Sequence, residues 1–353
     1  MLRFLPVATT LLAGTAGALL FYYLGAPAAF LTGSAVAVTL CVALRLRTDL
    51  PRNLREPFLA VLGVMMGSGV KPDTLSALAE LPVAIVGLVV AVSGATAASY
   101  LVLRRVGGWD PLTALCGSIP GALQVTLATA VELGARVDRV VMSQALRLFI
   151  LVAIIPLVFG RSEGGSTMDA FAAPDATTLD VALSFLLAFV CLLVSRSFTF
   201  PSGPVVLPLC ISAILSGAGI LTISIPPVVA AATFIVLGAS VAQRFDSTKG
   251  RDIWTTVWLS LAAFAAAFSV CISVAAVFST MMGEPLGAVF LAYAPGGVDA
   301  MIALSFLLGF DVAFVAVLHI LRLILLSIAG PVIAIQMKRR SEAALLRRSG
   351  TAD

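Results

Sequence analysis

Two stretches of sequence decide the fold of this chain: residues 108–151 read GWDPLTALCGSIPGALQVTLATAVELGARVDRVVMSQALRLFIL, and residues 283–326 read GEPLGAVFLAYAPGGVDAMIALSFLLGFDVAFVAVLHILRLILL. From the Pro-Gly pair onward the two align at a constant offset of 175 residues. The offset pairs Pro120 with Pro295, Gly121 with Gly296, Gln124 with Asp299, Gly134 with Gly309, Gln144 with His319 and Arg147 with Arg322. Agreement at so many special residues indicates an internal repeat, the signature of a duplicated structural unit.

The composition of the chain indicates that most of it lies in lipid. Of its 353 residues, 60% are hydrophobic and 11% are charged, whereas soluble proteins have about 25% charged residues. Long apolar runs predict helices that satisfy their own backbone hydrogen bonds in a bilayer. The sequence therefore predicts an all-α integral membrane protein. The net charge of +4 does not predict a nucleic-acid partner here, because the basic residues follow the sidedness rule of membrane proteins.

Apolar runs that can cross about 30 Å of hydrocarbon divide the chain into candidate spans. Eight runs reach this length: 6–24, 27–44, 81–103, 138–159, 179–195, 203–221, 254–280 and 312–336. Two shorter candidates, 57–70 and 228–243, are flanked by charge. Two further runs, 111–134 and 285–309, are interrupted by Pro120-Gly121 and by Pro295-Gly296-Gly297. A helix loses a hydrogen bond and gains freedom to turn at such positions.

The distribution of Lys and Arg predicts the path of the two interrupted runs, because basic residues in short loops favour the cytoplasm. If both runs are re-entrant hairpins and the N-terminus is inside, 18 of the 22 basic residues lie inside and only Lys71 and Arg161 lie outside. If both runs cross the membrane, 13 lie inside and seven outside. We therefore predict two re-entrant hairpins and cytoplasmic N- and C-termini.

This topology predicts two inverted repeats, each with five transmembrane helices and one Pro-Gly-broken re-entrant hairpin. The whole chain then has about ten spans and two hairpins, and the odd number of crossings in each half makes the halves inverted. The predicted parts are a first membrane repeat at 1–160, an extracytoplasmic linker at 161–178, a second membrane repeat at 179–337 and a basic cytoplasmic tail at 338–353. Inverted repeats with helices interrupted at matching positions are typical of secondary transporters with a midplane site.

Residues at and behind the two breaks form the predicted substrate and ion pathway: Pro120, Gly121, Gln124, Arg147, Pro295, Gly296, Gly297, Asp299, His319 and Arg322. Arg147 and Arg322 lie near the middle of their apolar runs, where a charge costs roughly 2.5 to 3.5 kcal/mol of insertion free energy. They either bind an anion directly or tie down hairpin carbonyls or a buried acid. Each Pro-Gly pair also begins a half-helix whose unpaired N–H groups favour a carboxylate or phosphate.

Two titratable residues near Arg322 have alternative roles. His319 lies three residues earlier, on the same helix face, and is either a proton carrier near neutral pH or a hydrogen-bonded interior residue. Asp299 pairs with Arg322, binds a proton or Na⁺, or caps the second arm of its hairpin. Gln124 is its neutral counterpart in the first repeat, which leaves Arg147 freer to meet an anion.

Two other patterns predict packing rather than chemistry. The cysteines lie in apolar runs without C-x-x-C spacing and are expected to be small hydrophobic residues: Cys41, Cys116, Cys191, Cys210 and Cys271. Gly63 and Gly67 have the G-x-x-x-G spacing, which predicts a close contact between two helices rather than a site.

The repeated blocks resemble the AbrB family of bacterial membrane proteins, and the likeness covers nearly the whole chain. In the first block the matching residues are Gly108-Trp109-Asp110, Thr113-Ala114, Pro120-Gly121 and Arg147-Leu148. In the second, more specific block they are Pro295-Gly296-Gly297, Met301, Gly309, Asp311, His319 and Arg322. The resemblance implies a multi-pass protein of the bacterial cytoplasmic (inner) membrane, with the family labels of ammonia monooxygenase and regulator of gene expression. The plan of four spans, one hairpin and one span also resembles elevator-type organic-anion carriers at the level of fold.

Three functions from different classes compete. An oxygenase needs several His, Asp or Glu ligands around copper or iron, and a chain with one His does not supply them, so we expect no enzyme, no cofactor and no metal site. The repeat and the arginines favour a secondary transporter of a small, carboxylate-like anion coupled to H⁺ or Na⁺. The alternative is a membrane ligand sensor that regulates gene expression. The expected partners are the solute, its coupling ion and the lipid bilayer, without nucleic acid, and a homodimer is left open.

Overall fold

The computed structural model describes residues 4–69, 81–121, 123–160, 177–197, 203–245 and 253–349; the side chains of Phe4, Leu123, Gln124 and residues 340–349 lie outside the description. The described residues form fourteen α-helices and no strand. The helices are α1 Phe4–Tyr23, α2 Ala29–Ala43, α3 Arg52–Ser68, α4 Leu81–Leu101, α5 Pro111–Ser118, α6 Leu123–Leu133, α7 Val137–Phe159, α8 Thr178–Ser197, α9 Gly203–Gly217, α10 Pro227–Ala242, α11 Ile253–Met282, α12 Leu286–Tyr293, α13 Val298–Leu307 and α14 Val312–Ser349. A π-helical turn, Val102–Val106, extends α4, and a 3₁₀ turn, Gln243–Phe245, follows α10.

Seven of the described helical segments are long and apolar enough to cross a membrane. They contain α1, α4, α7, α8, α10, α11 and α14, while α2, α9 and α13 are shorter apolar helices. The predicted all-helical class is confirmed within the described residues, and the seven long helices fit a multi-pass membrane protein. α14 runs on to Ser349 and thus includes residues 338–349 of the predicted tail, whereas residues 161–176 of the predicted linker lie outside the described residues.

The helices of the first half recur in the second half at a nearly constant spacing. α5, α6 and α7 begin 175 residues before α12, α13 and α14. The other four pairs, from α1 with α8 to α4 with α11, begin 172 to 175 residues apart. The similarity seen in sequence between two 44-residue blocks therefore extends to the positions of all seven helix pairs in the described chain.

The helices pack in two groups. α1, α2, α3, α8, α9 and α10 form an outer group, in which α1 packs on α2, α2 on α10, and α3 on α9. α4 to α7 and α11 to α14 form a hairpin group, in which α4 packs on α11 and the short helices pack on α7 and α14. The groups touch where α7 meets α2 and α10, and where α13 and α14 meet α3.

Glycines allow the closest helix contacts of the outer group. A Cβ on Gly63 would lie 2.3 Å from the Val205 carbonyl oxygen of α9, and one on Gly67 would lie 1.7 Å from Ser212 Oγ. The predicted G-x-x-x-G contact is therefore confirmed. Gly238, which is 175 residues after Gly63, makes the corresponding approach of α10 to α2. Small residues at helix interfaces let backbones approach closely in membrane proteins.

A contact joins the start of each pair of short helices to the residues that follow the pair. Thr113 Oγ1 of α5 accepts a hydrogen bond from the Arg136 backbone N–H at 2.8 Å, so the start of α5 lies beside the start of α7, just beyond the end of α6. In the second half, Phe310 immediately precedes the loop to α14, and its ring occupies the space beside Gly287 of α12. We call α5, α6 and residues 119–121 the first broken pair, and α12, α13 and residues 294–297 the second broken pair.

Candidate functional site

Arg147 ties α7 to the break of the first broken pair. Its side chain is buried, with a relative exposure of 5%. Nη1 donates to the Ser118 carbonyl oxygen at 3.3 Å, and Nη2 donates to the Ile119 carbonyl oxygen at 3.1 Å. These carbonyls end α5, and a helix cannot satisfy its last carbonyls internally. The arginine supplies the donors that the broken helix lacks.

Arg322 does the same for the second broken pair. It is 1% exposed, its Nη1 donates to the Ala294 carbonyl oxygen, and its Nη2 donates to the Gly296 carbonyl oxygen at 2.6 Å. Ala294 corresponds to Ile119 at the 175-residue offset. Of the two roles left open by the sequence, the tie to hairpin carbonyls is thus observed for both arginines. Two of the five N–H groups of each guanidinium make these bonds.

The residues three positions before the two arginines also face the short helices. Gln144 Nε2 donates to the Cys116 carbonyl oxygen at 3.2 Å. His319 is fully buried, and its ring lies near the backbone of Leu291, the residue that corresponds to Cys116. Neither ring nitrogen of His319 has a hydrogen-bond partner of normal geometry among the described residues. His319 is therefore a buried titratable group beside Arg322.

The two breaks meet in the middle of the hairpin group. Gly121 has a φ of +87°, which only glycine adopts easily, and a Cβ there would lie 3.6 Å from Arg322 Nη2. Gly297 faces Leu148 of α7, at 3.4 Å from its built Cβ position. Arg147 and Arg322 are close enough to interact electrostatically. Pro120, Pro295 and Gly296 are buried at the breaks, so the structure brings both sets of predicted break residues together.

Asp299 lies at the second break, where its Oδ1 is 3.0 Å from the Cβ position built on Gly297. It is the second residue of α13 and is partly exposed. Its electrostatic interaction is with Arg244 in the 3₁₀ turn after α10, and no ion pair joins it to Arg322 in the described part of the chain. The side chain of Gln124, the matching residue of the first repeat, lies outside the described residues.

Sequence reasoning missed a polar cluster beside Asp299. Arg55, in the first turn of α3, interacts electrostatically with Arg244. Arg55 Nε and Gln243 Nε2 are buried atoms without a hydrogen-bond partner among the described residues. The sequence places Arg55 and Arg244 only in the count of cytoplasmic charges. The sequence signal that could have indicated this cluster is the position of both arginines at the ends of two short apolar runs.

The described residues contain no group of three or more His, Cys, Asp or Glu side chains that could hold a metal ion. Cys116 packs in an apolar cluster with Ala130 and Val140, and Cys271 is buried in the largest hydrophobic core. Both are small core residues, as the sequence predicts.

The paired breaks and their arginines lie within the part of the chain that matches a known family. The model of the family described as "Transition state regulatory protein AbrB" matches residues 30–338. This chain belongs to the AbrB family. It is similar to "Putative regulator AbrB" of Escherichia coli K12, with 24% identity over 87% of this chain and 89% of that protein. It is also 24% identical to "Uncharacterized protein YhjN" of Bacillus subtilis 168, over 75% of this chain and 73% of that protein. The family description and the name of the Escherichia coli protein both describe a regulator.

Proposed function

We propose that this AbrB-family chain is a secondary transporter that carries a small organic anion, with H⁺ or Na⁺, across the bacterial inner membrane. The observation that carries the proposal is the pair of buried arginines: each bonds the broken backbone of its own half, and the two interact with each other. Two cations held together in an apolar core are costly. Two such charges make the middle of the hairpin group electropositive, which favours an anionic solute over a neutral or cationic one.

The two broken pairs fit the role of re-entrant hairpins in inverted repeats. The Thr113–Arg136 hydrogen bond and the Phe310–Gly287 contact support entry and exit on one face. The constant spacing of the seven helix pairs and the charge distribution of the loops support the inversion. Secondary transporters use matching interrupted helices to point backbone N–H groups at an anionic substrate near the membrane midplane.

The division into two helix groups supports a moving-unit mechanism. The outer group is held by close glycine contacts along α3 with α9 and α10 with α2. The hairpin group contains both broken pairs and both central arginines. We propose that the hairpin group rocks or slides against the outer group, which alternately opens the anion site to the two sides.

Two titratable residues of the second half are the candidates for binding the H⁺ or Na⁺ that moves with the anion. His319 is buried beside Arg322, and its ring nitrogens make no hydrogen bond of normal geometry among the described residues. We propose that the ring accepts a proton when a bound anion offsets the charge. Asp299 is partly exposed at the start of α13 and is the second candidate for binding H⁺ or Na⁺. Pro120, Gly121, Gln124, Pro295, Gly296 and Gly297 complete the proposed pathway.

A ligand sensor is the alternative function, because the Escherichia coli relative carries the name of a regulator. A sensor uses the same cavity to bind the anion but moves no solute. The two functions share their ligand and differ only in flux.

Anion binding is tested with detergent-solubilised protein in a thermal-unfolding screen. A ligand that binds only the folded state raises the unfolding midpoint by mass action. We expect small carboxylates to raise the unfolding midpoint. Neutral solutes and the chloride salts of different cations should leave it unchanged. We also expect Arg147→Ala and Arg322→Ala to abolish transport. The anion proposal would be contradicted if only cations or neutral solutes stabilised the protein and did so equally in both arginine variants.

A further inference from the structure

A cluster of four polar residues spans the boundary between the two helix groups. Arg55 in α3 and Gln243 and Arg244 after α10 belong to the outer group, whereas Asp299 begins α13 in the hairpin group. We call Arg55, Gln243, Arg244 and Asp299 the seam cluster. All four side chains are partly exposed, in contrast to the fully buried His319.

The seam cluster has an excess of positive charge. Arg244 interacts electrostatically with Asp299 and with Arg55, so two guanidinium groups share one carboxylate there. Glu56, the acid next to Arg55 in sequence, bonds to Arg52 and, at 2.9 Å, to Arg196. Among the described residues, Arg55, Arg244 and Asp299 together carry one formal positive charge, which a monovalent anion neutralises.

Two donors of the cluster lack acceptors. Arg55 Nε and Gln243 Nε2 are both shielded from solvent and have no hydrogen-bond partner in the described ranges. Buried donors are almost always paired in native structures, because an unpaired one costs free energy. Two such donors beside an excess positive charge form the recognition pattern of a carboxylate, which accepts hydrogen bonds with both oxygens.

The central arginines are less suited to direct contact with the solute. The terminal nitrogens of Arg147 and Arg322 already donate to backbone carbonyls, and both side chains are buried. We therefore infer that the carboxylate of the transported anion binds at the seam cluster, with Arg55 and Gln243 as its hydrogen-bond donors. This inference rests on the proposed function and adds the location of its anion site. An anion bound there contacts both helix groups, so its binding depends on their relative position.

The test compares the anion affinity of four single variants by thermal unfolding. The probes are sodium acetate, sodium lactate and disodium succinate, each against sodium chloride at equal ionic strength. Arg55→Gln removes the charge and Nε, Arg55→Lys keeps the charge alone, and Gln243→Leu removes the amide. Arg52→Gln is the matched control, because Arg52 lies one turn earlier on α3 and bonds to Glu56.

We expect Arg55→Gln to raise the apparent Kd of the stabilising carboxylate about 10- to 100-fold, since bonds to charged groups are stronger than neutral ones. Arg55→Lys and Gln243→Leu should give smaller increases, and Arg52→Gln should leave Kd unchanged. If Arg55→Gln does not fold, the other two seam variants decide. Carboxylates that stabilise the wild type and all seam variants equally would overturn the seam site but leave the proposed function standing. Wild-type protein that no carboxylate stabilises would overturn both.

Discussion

Replacing Arg322 by leucine tests what holds the second broken pair together. The substitution removes the donors that pair with the Ala294 and Gly296 carbonyl oxygens in a site that is 1% exposed. Each unpaired buried acceptor costs about 1–3 kcal/mol, so the two together cost about 2–6 kcal/mol. Deleting a buried charge also removes its desolvation cost and its repulsion from Arg147. Because these two effects offset part of the cost, we expect the unfolding free energy to fall by about 2–4 kcal/mol, the lower part of that range.

Two matched substitutions provide reference values for the loss of unfolding free energy. Arg147→Leu breaks longer bonds, of 3.1 and 3.3 Å, and should cost less than Arg322→Leu. Arg105→Leu removes an exposed arginine at the end of α4 and should change the unfolding free energy by less than about 0.5 kcal/mol.

The assay is thermal unfolding in detergent, followed by circular dichroism. The expected order of midpoints is wild type and Arg105→Leu together, then Arg147→Leu, then Arg322→Leu. An Arg322→Leu protein that unfolds at the wild-type midpoint would show that the broken backbone does not depend on the arginine, and the reasoning would fail.

Two further predictions concern topology and helix packing. In a cysteine-free background, single cysteines at Ser166 and Glu284 should react with an impermeant reagent from outside, whereas those at Arg105 and Ser247 should not; outside labelling of a cysteine at Arg136 would refute the first re-entrant hairpin. Gly67→Ala places a Cβ 1.7 Å from Ser212 Oγ and 2.5 Å from the Leu209 carbonyl oxygen, so it should lower stability by about 1–3 kcal/mol. Gly217→Ala meets nothing within 4 Å and should be neutral; equal midpoints for the two glycine variants would contradict this packing argument.

The sequence predicted the succession of helices well, because apolar runs and Pro-Gly pairs report local preferences. The breaks after Ser118 and Tyr293 lie where Pro120 and Pro295 forbid a continuous helix. The sequence did not predict which groups Arg147 and Arg322 contact, because their carbonyl partners lie 26 to 29 residues away along the chain. Periodicity alone cannot show which backbone groups meet at such separations.

The seam cluster escaped prediction for a different reason. Its members come from three distant parts of the chain, around residues 55, 243 and 299, and two of them flank short apolar runs. Arginines at the ends of spans are ordinary cytoplasmic charges under the positive-inside rule. Only the packing of α13 against α3 and α7 shows that Asp299 and these arginines share one region.

Uptake by proteoliposomes distinguishes a transporter from a sensor. Purified wild-type protein is reconstituted, and uptake of the radiolabelled carboxylate that stabilises it most is measured with an imposed H⁺ or Na⁺ gradient. We predict that uptake is saturable and is driven by one of the two gradients. It should stop when an ionophore dissipates that gradient, and it should be absent in Arg322→Ala. Uptake no faster than in protein-free liposomes, for a carboxylate that does stabilise the protein, would contradict transport and leave the sensor as the function of the fold.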